Sequence, residues 1–208
     1  MAKIKVCGLT RHEDIIAVNE AKPDFCGFIV EYPKSRRSVP EEQLRRLTLE
    51  ICREVIPVGV FVNAPEGLPA RLLNENVISM AQLHGQEDEE YIKRLRELTD
   101  KPIIKAFSIK TSDDIKAALA STADYILLDQ GNGGTGQPFD WSLVENVDRP
   151  FFLAGGLGIS NLEKAIERLS PWAVDLSSSL ETEGKKDPEK IKAAVKLVRR
   201  IEAQVERT

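Results

Sequence analysis

Eight short apolar runs, each followed by a segment with helical character, set the outer limit on what this chain can fold into. The runs lie at 3–7, 24–30, 55–62, 78–83, 102–107, 124–128, 151–154 and 173–176. Helices are predicted at 40–53, 66–74, 87–98, 112–120, 161–169 and 188–205, with a short helical piece at 141–146. A further helix follows the first run, with Thr10 as its cap and Glu13 completing a capping box. Strand–helix alternation at this density calls for parallel strands joined by right-handed crossovers. No Pro/Ser-rich linker interrupts it, and eight units favour closure over an open sheet. The expectation is therefore an α/β fold, one (β/α)8 barrel domain spanning residues 1–208. At 208 residues it lies near the lower limit of about 200 for such barrels, so its loops must be short.

Composition narrows the function classes. A net charge of −4 leaves no basic footprint for nucleic acid. No apolar run approaches the roughly 18 residues that suggest a membrane span. The opening MAKIKVCGLT has no apolar core of a secretory signal. Cys7, Cys26 and Cys52 are odd in number and lack metal-type spacing, which points to a reducing, cytoplasmic setting and to no metal. Cys26, in a strand, and Cys52, in a helix, are assigned to packing. A small-molecule ligand is the expected partner, with the chain a monomer or a homodimer.

In such a barrel the chemistry gathers at the C-terminal ends of the strands. Those ends read Cys7, the loop with Arg36 and Arg37, Asn63, His84, Phe107, Asp129, Gly155-Gly156 and Asp175 to Ser178. Period-two alternation puts Lys5 inside the barrel if Cys7 faces the mouth, and Gln82 below His84. A lysine there needs a carboxylate partner, and Asp175 is the best placed. Cys7 is either a small buried apolar residue or, beside Gly8, a thiol placed for chemistry. Asp129 ends an otherwise apolar run, where a carboxylate is costly unless it faces the mouth. A thiol and a carboxyl across one mouth can act as base and acid if their environments split their protonation states. His84 reads as a ligand contact or a structural histidine. Arg36 and Arg37 sit in a solvated loop or supply a guanidinium that grips a carboxylate. Gly155, Gly156, Ser177 and Ser178 follow the last two strands, where backbone N–H groups and hydroxyls make a phosphate cradle. The run Gly131-Asn132-Gly133-Gly134-Thr135-Gly136 satisfies a dinucleotide fingerprint, but Pro138 and Phe139 stand where its helix should run. It is read as a flap beside Asp129.

Six blocks carry a resemblance. They are Lys5 to Thr10, Tyr32 to Arg37, Gln82 to Gly85, Leu127 to Asp129 with Gly133 to Gly136 and Phe139 to Trp141, Ala154 to Leu157, and Val174 to Ser178. Together, in this order, they resemble the phosphoribosylanthranilate isomerase family. The resemblance implies a cofactor-free Amadori rearrangement of N-(5′-phosphoribosyl)anthranilate in tryptophan biosynthesis. It makes Asp129 the general acid, Cys7 the general base and Arg37 the anchor of the anthranilate carboxylate. Gly155, Gly156, Ser177 and Ser178 become phosphate-binding, and His84 and Asp175 substrate-binding. The chain departs from the family pattern at Ser179, where glycine is usual, and at Glu31, where an apolar or aromatic residue is more common. Related sugar isomerases that use paired aspartates fit less well, because the first strand ends in Cys7.

Overall fold

The computed structural model describes residues 2–129, 141–145 and 147–205. Eight strands close a parallel barrel: β1 (Lys3–Cys7), β2 (Phe25–Val30), β4 (Ile56–Phe61), β5 (Met80–Leu83), β6 (Ile103–Ser108), β7 (Tyr125–Asp129), β8 (Phe151–Leu153) and β9 (Ala173–Leu176). β1 pairs with β2 on one side and β9 on the other, which closes the ring. Around it lie α1 (His12–Ala21), α2 (Glu41–Leu49), α3 (Gly67–Asn74), α4 (Glu89–Leu98), α5 (Ser112–Ala120), α6 (Leu162–Leu169) and α7 (Pro188–Val205). The glycine-rich flap read at 131–136 lies outside the described residues. No helix among the described residues is long and apolar enough to cross a membrane.

Each strand side chain has one of two destinations because successive residues point to opposite faces. Outward residues such as Ile4, Val6, Phe28, Phe61, Leu128 and Val174 pack under the helices. Inward residues of the lower barrel form a separate apolar filling that includes Phe25, Val58, Met80, Ile104, Leu127 and Phe152. Trp172 and Tyr125 stack over its base, with ring centroids 4.5 Å apart, and Phe152 meets Trp172 edge-on at 5.2 Å. The barrel is therefore solid below and polar above.

Three short strands were not expected from the sequence. β3 (Ser38–Val39) pairs with the end of β2, above the point where β1 stops, and so pins the loop carrying Arg37. β10 (Glu181–Thr182) and β11 (Lys185–Lys186) form a small antiparallel hairpin after β9. Two-residue strands leave too short a period to read.

Other expectations need correction. Thr10 does not cap α1; its N–H and that of Arg11 both donate to the buried Asp14 carboxylate, at 2.9 and 3.0 Å, and the helix starts at His12. The N-cap is Arg11, and Asp14 at the third helical position, rather than Glu13, closes the capping box onto it. α2 ends at Leu49, short of Arg53, so Cys52 lies outside any helix. The Asn19 side chain takes over the backbone there, donating to the Glu50 carbonyl and accepting from the Cys52 N–H. The piece at 141–146 is a 3-10 turn at Trp141–Leu143.

Removing the centre of the aromatic filling tests its weight. Phe152 is fully buried. Phe152→Ala is expected to lower the stability measured by urea unfolding by about 3–5 kcal/mol.

Candidate active site

The polar upper barrel opens into a cavity of about 670 Å³. On its floor, Lys5 and Asp175 are register partners on β1 and β9. Lys5 is 0% exposed, and its Nζ donates to Asp175 Oδ2 at 2.9 Å, the pair expected from strand parity. Burial works against the Lys5 ammonium, but Asp175 and Cys7 outweigh it and hold Lys5 above the usual lysine range. The second Asp175 oxygen, Oδ1, is buried with no hydrogen-bond partner among the described residues, and Asp175 lines the cavity.

Cys7 ends β1 directly above Lys5. A Cβ at Gly27 would lie 2.7 Å from the Cys7 sulfur and 3.2 Å from Lys5 Nζ, so only glycine on the neighbouring strand lets thiol and ammonium share this corner. Burial pushes the Cys7 thiol up, and the neighbouring Lys5 cation pulls the other way. Asp129 ends β7 and lines the same cavity. Its Oδ2 lies 3.5 Å from His84 Nε2. Gln82 Nε2 lies 2.8 Å from His84 Nδ1. An amide nitrogen only donates, so Nδ1 accepts and Nε2 carries the proton facing Asp129.

Two anion-friendly walls flank these groups. Gly155 and Gly156 follow β8 with φ of 84° and 64°, a left-handed path open to glycine, and expose backbone to the cavity. Opposite them Ser177 and Ser178 follow β9, and Ser178 opens a 3-10 turn that reaches Leu180. The Ser177 hydroxyl also donates to the Cys7 carbonyl at 3.0 Å, fastening β9 to β1. Ser179 is absent from the positions with positive φ, so a Cβ there introduces no backbone strain. On the other wall Arg37 comes from the loop held by β3. Gly8 makes room for it: a Cβ there would stand 2.5 Å from Arg37 Cδ.

All nine sequence-predicted residues, Cys7, Arg37, His84, Asp129, Gly155, Gly156, Asp175, Ser177 and Ser178, line this cavity. Asn63 and Phe107, two of the strand ends, do not. Phe107 points outward because its neighbour Ala106 takes the inward position, and it packs with the outer core. Asn63 bonds across to the next loop, accepting from the Gln86 N–H at 2.7 Å. Glu31 turns away from the site and accepts the Glu41 N–H at the start of α2. Sequence reasoning missed Glu181 and Lys186. Glu181 holds Arg37 through two bonds of 2.6 and 3.0 Å, and Lys186 Nζ meets Glu181 at 2.9 Å. Burial opposes its charge, but Arg37 and Lys186 hold the Glu181 carboxyl down at about 2. An acid followed five residues later by lysine is too common a pattern to signal this.

Fold and site together define a class: a (β/α)8 barrel whose mouth gathers a thiol and a carboxyl between an arginine and two loops of glycine and serine. A family model described as N-(5′phosphoribosyl)anthranilate (PRA) isomerase matches residues 4–197, and the chain belongs to that family. The N-(5′-phosphoribosyl)anthranilate isomerase of Endomicrobium trichonymphae is 42% identical over 205 residues, covering 97% of this chain and 100% of its own. The crystal structure of phosphoribosyl anthranilate isomerase from Thermotoga maritima aligns with a TM-score of 0.86 at 36% identity, covering 96% of this chain and 99% of that one. Another phosphoribosyl anthranilate isomerase structure, in complex with reduced 1-(o-carboxyphenylamino)-1-deoxyribulose 5-phosphate, aligns at 0.83 and 35% identity, covering 96% and 99%.

The Lys5 cation favours the Cys7 thiolate, which fixes the sign of a pH test. Alkylation of Cys7 by iodoacetamide, followed peptide by peptide, is expected to rise only above the free thiol value of about 8.5. Lys5→Met should move that rise to still higher pH; a move to lower pH would contradict the assigned contact.

Proposed function

We propose that this chain catalyses the Amadori rearrangement of N-(5′-phosphoribosyl)anthranilate to 1-(2-carboxyphenylamino)-1-deoxyribulose 5-phosphate, in tryptophan biosynthesis. The observation that carries this reading is the single cavity. It brings a thiol, a carboxyl, an arginine and the two post-strand loops within reach of one phosphosugar. In this reading the phosphate rests on Gly155, Gly156, Ser177 and Ser178, and the anthranilate carboxylate lies against Arg37. Asp129, protonated, gives its proton to the ribose ring oxygen, the C1′–O bond breaks, and the anthranilate nitrogen becomes a Schiff base. Cys7, as thiolate, takes the C2′ proton, and the electron pair moves into the C1′–C2′ bond to give an enolamine. Tautomerisation to the ketone completes the exchange without net oxidation.

Neighbouring groups support these roles. The His84 Nε2–H faces Asp129 and steadies the carboxylate left after proton donation. Lys5 stabilises the thiolate that starts the second step. The unpaired Asp175 Oδ1 offers a ribose hydroxyl an acceptor, and an unmet buried acceptor is costly until something donates to it. Each removal of a proton-handling group has an expected size. Cys7→Ala and Asp129→Asn should each lower kcat by about 10²–10⁴-fold in a fluorescence assay of freshly made substrate. Binding of the reduced product analogue should persist in both. Near wild-type kcat in either variant would remove that residue from the mechanism.

A further inference from the structure

Behind Arg37 lies a group of charges that neither the acid–base step nor the phosphate cradle uses. Glu181 sits at its centre with its side chain 6% exposed. It accepts from Arg37 Nε and Nη2, from Lys186 Nζ and from Arg36 Nη2 at 2.5 Å. Lys186 is almost fully buried, and its ammonium reaches two places at once: Glu181, and the Ser177 carbonyl at 2.9 Å. One lysine thus links the arginine on one wall to the serine loop on the other. The β10–β11 hairpin makes this possible by pairing Glu181 with Lys186 across two strands.

The charges do not cancel. Three cations share one carboxylate, so the group keeps a net positive charge at the cavity wall. Glu181 engages Nε and Nη2 and leaves Nη1 of the guanidinium to other partners. A planar guanidinium fixed along one edge presents its remaining N–H groups in a set direction, so less entropy is lost when it grips a carboxylate.

We propose that Glu181 and Lys186 are positioning residues. They aim Arg37 at the carboxylate of the aromatic acid and hold it in register with the phosphate loop, which makes the enzyme selective for carboxylated substrates. This inference rests on the isomerase reading above. Glutamine at position 181 would keep one accepting oxygen and turn its NH2 group against the donors that the other oxygen now receives, so Arg37 would lose its fixed edge.

The test compares the reduced product analogue with its counterpart lacking the ring carboxylate, by calorimetry, alongside steady-state kinetics. In Glu181→Gln, KM for phosphoribosylanthranilate should rise about tenfold while kcat stays within about threefold. The preference for the carboxylated analogue should fall about tenfold, with affinity for the other changed less than about twofold. Equal loss for both analogues, or no loss for either, would overturn the proposal. Should Glu181→Gln fail to fold, the double variant Glu181→Gln, Lys186→Met removes one charge of each sign and carries the same expectation. Failure of the isomerase reading shows differently: wild-type protein would then bind the two analogues alike, which overturns the clamp as well.

Discussion

The ion pair between Lys5 and Asp175 lies on the seam where the barrel closes, and much of the upper barrel is arranged around it. β1 and β9 are first and last in the ring, and these two residues are register partners across their junction. Taking both charges out of water is costly, and their attraction repays it only with good geometry. A slip of one residue would turn Lys5 towards the helices and leave Asp175 in the barrel interior without its cation. The pair therefore penalises wrong register strongly, whatever its net contribution to stability. Its ammonium also lies under the Cys7 sulfur, so the group that selects the seam also sets the charge environment of the thiol.

The barrel divides its interior by height. Below the pair, Phe25, Phe152, Tyr125 and Trp172 fill the space with rings in tilted and stacked contacts. Above it, inward positions pass to Gln82, His84, Asp129 and the glycines. Stability and chemistry thus occupy different layers of the same strands. The mouth departs from good packing in ways a ligand would repair: Gln82 Oε1 and Asp175 Oδ1 are buried acceptors with no partner among the described residues. Such groups are tolerated where a substrate supplies the missing donor.

Specific positions show why some features were legible in advance. Cys7, Asp129 and Asp175 stand at the ends of apolar runs, where polarity breaks a pattern and alternation gives a direction. Phe107 also stands at a strand end, but one step of parity sends it outward, and a boundary uncertain by one residue hides that. The start of α1 was misplaced because Arg11, the residue at the cap, is not a usual capping type, and Asp14 rather than Glu13 reaches back to it. The end of α2 depended on Asn19, which belongs to another helix and leaves no mark in the local sequence.

Local sequence is sufficient to determine the alternation of the main elements, the inward or outward face of strand residues away from uncertain strand ends, and the loops that carry chemistry, because these follow from nearest-neighbour geometry and hydrophobic period. Only the tertiary structure decided that Glu181 and Lys186 stand behind Arg37, and that Gly8 and Gly27 clear space for Arg37 and Cys7. Those contacts join residues far apart in the chain, such as Arg37 with Glu181 and Gly27 with Cys7. Their positions depend on how the ring closes, and closure is a property of all eight strands together.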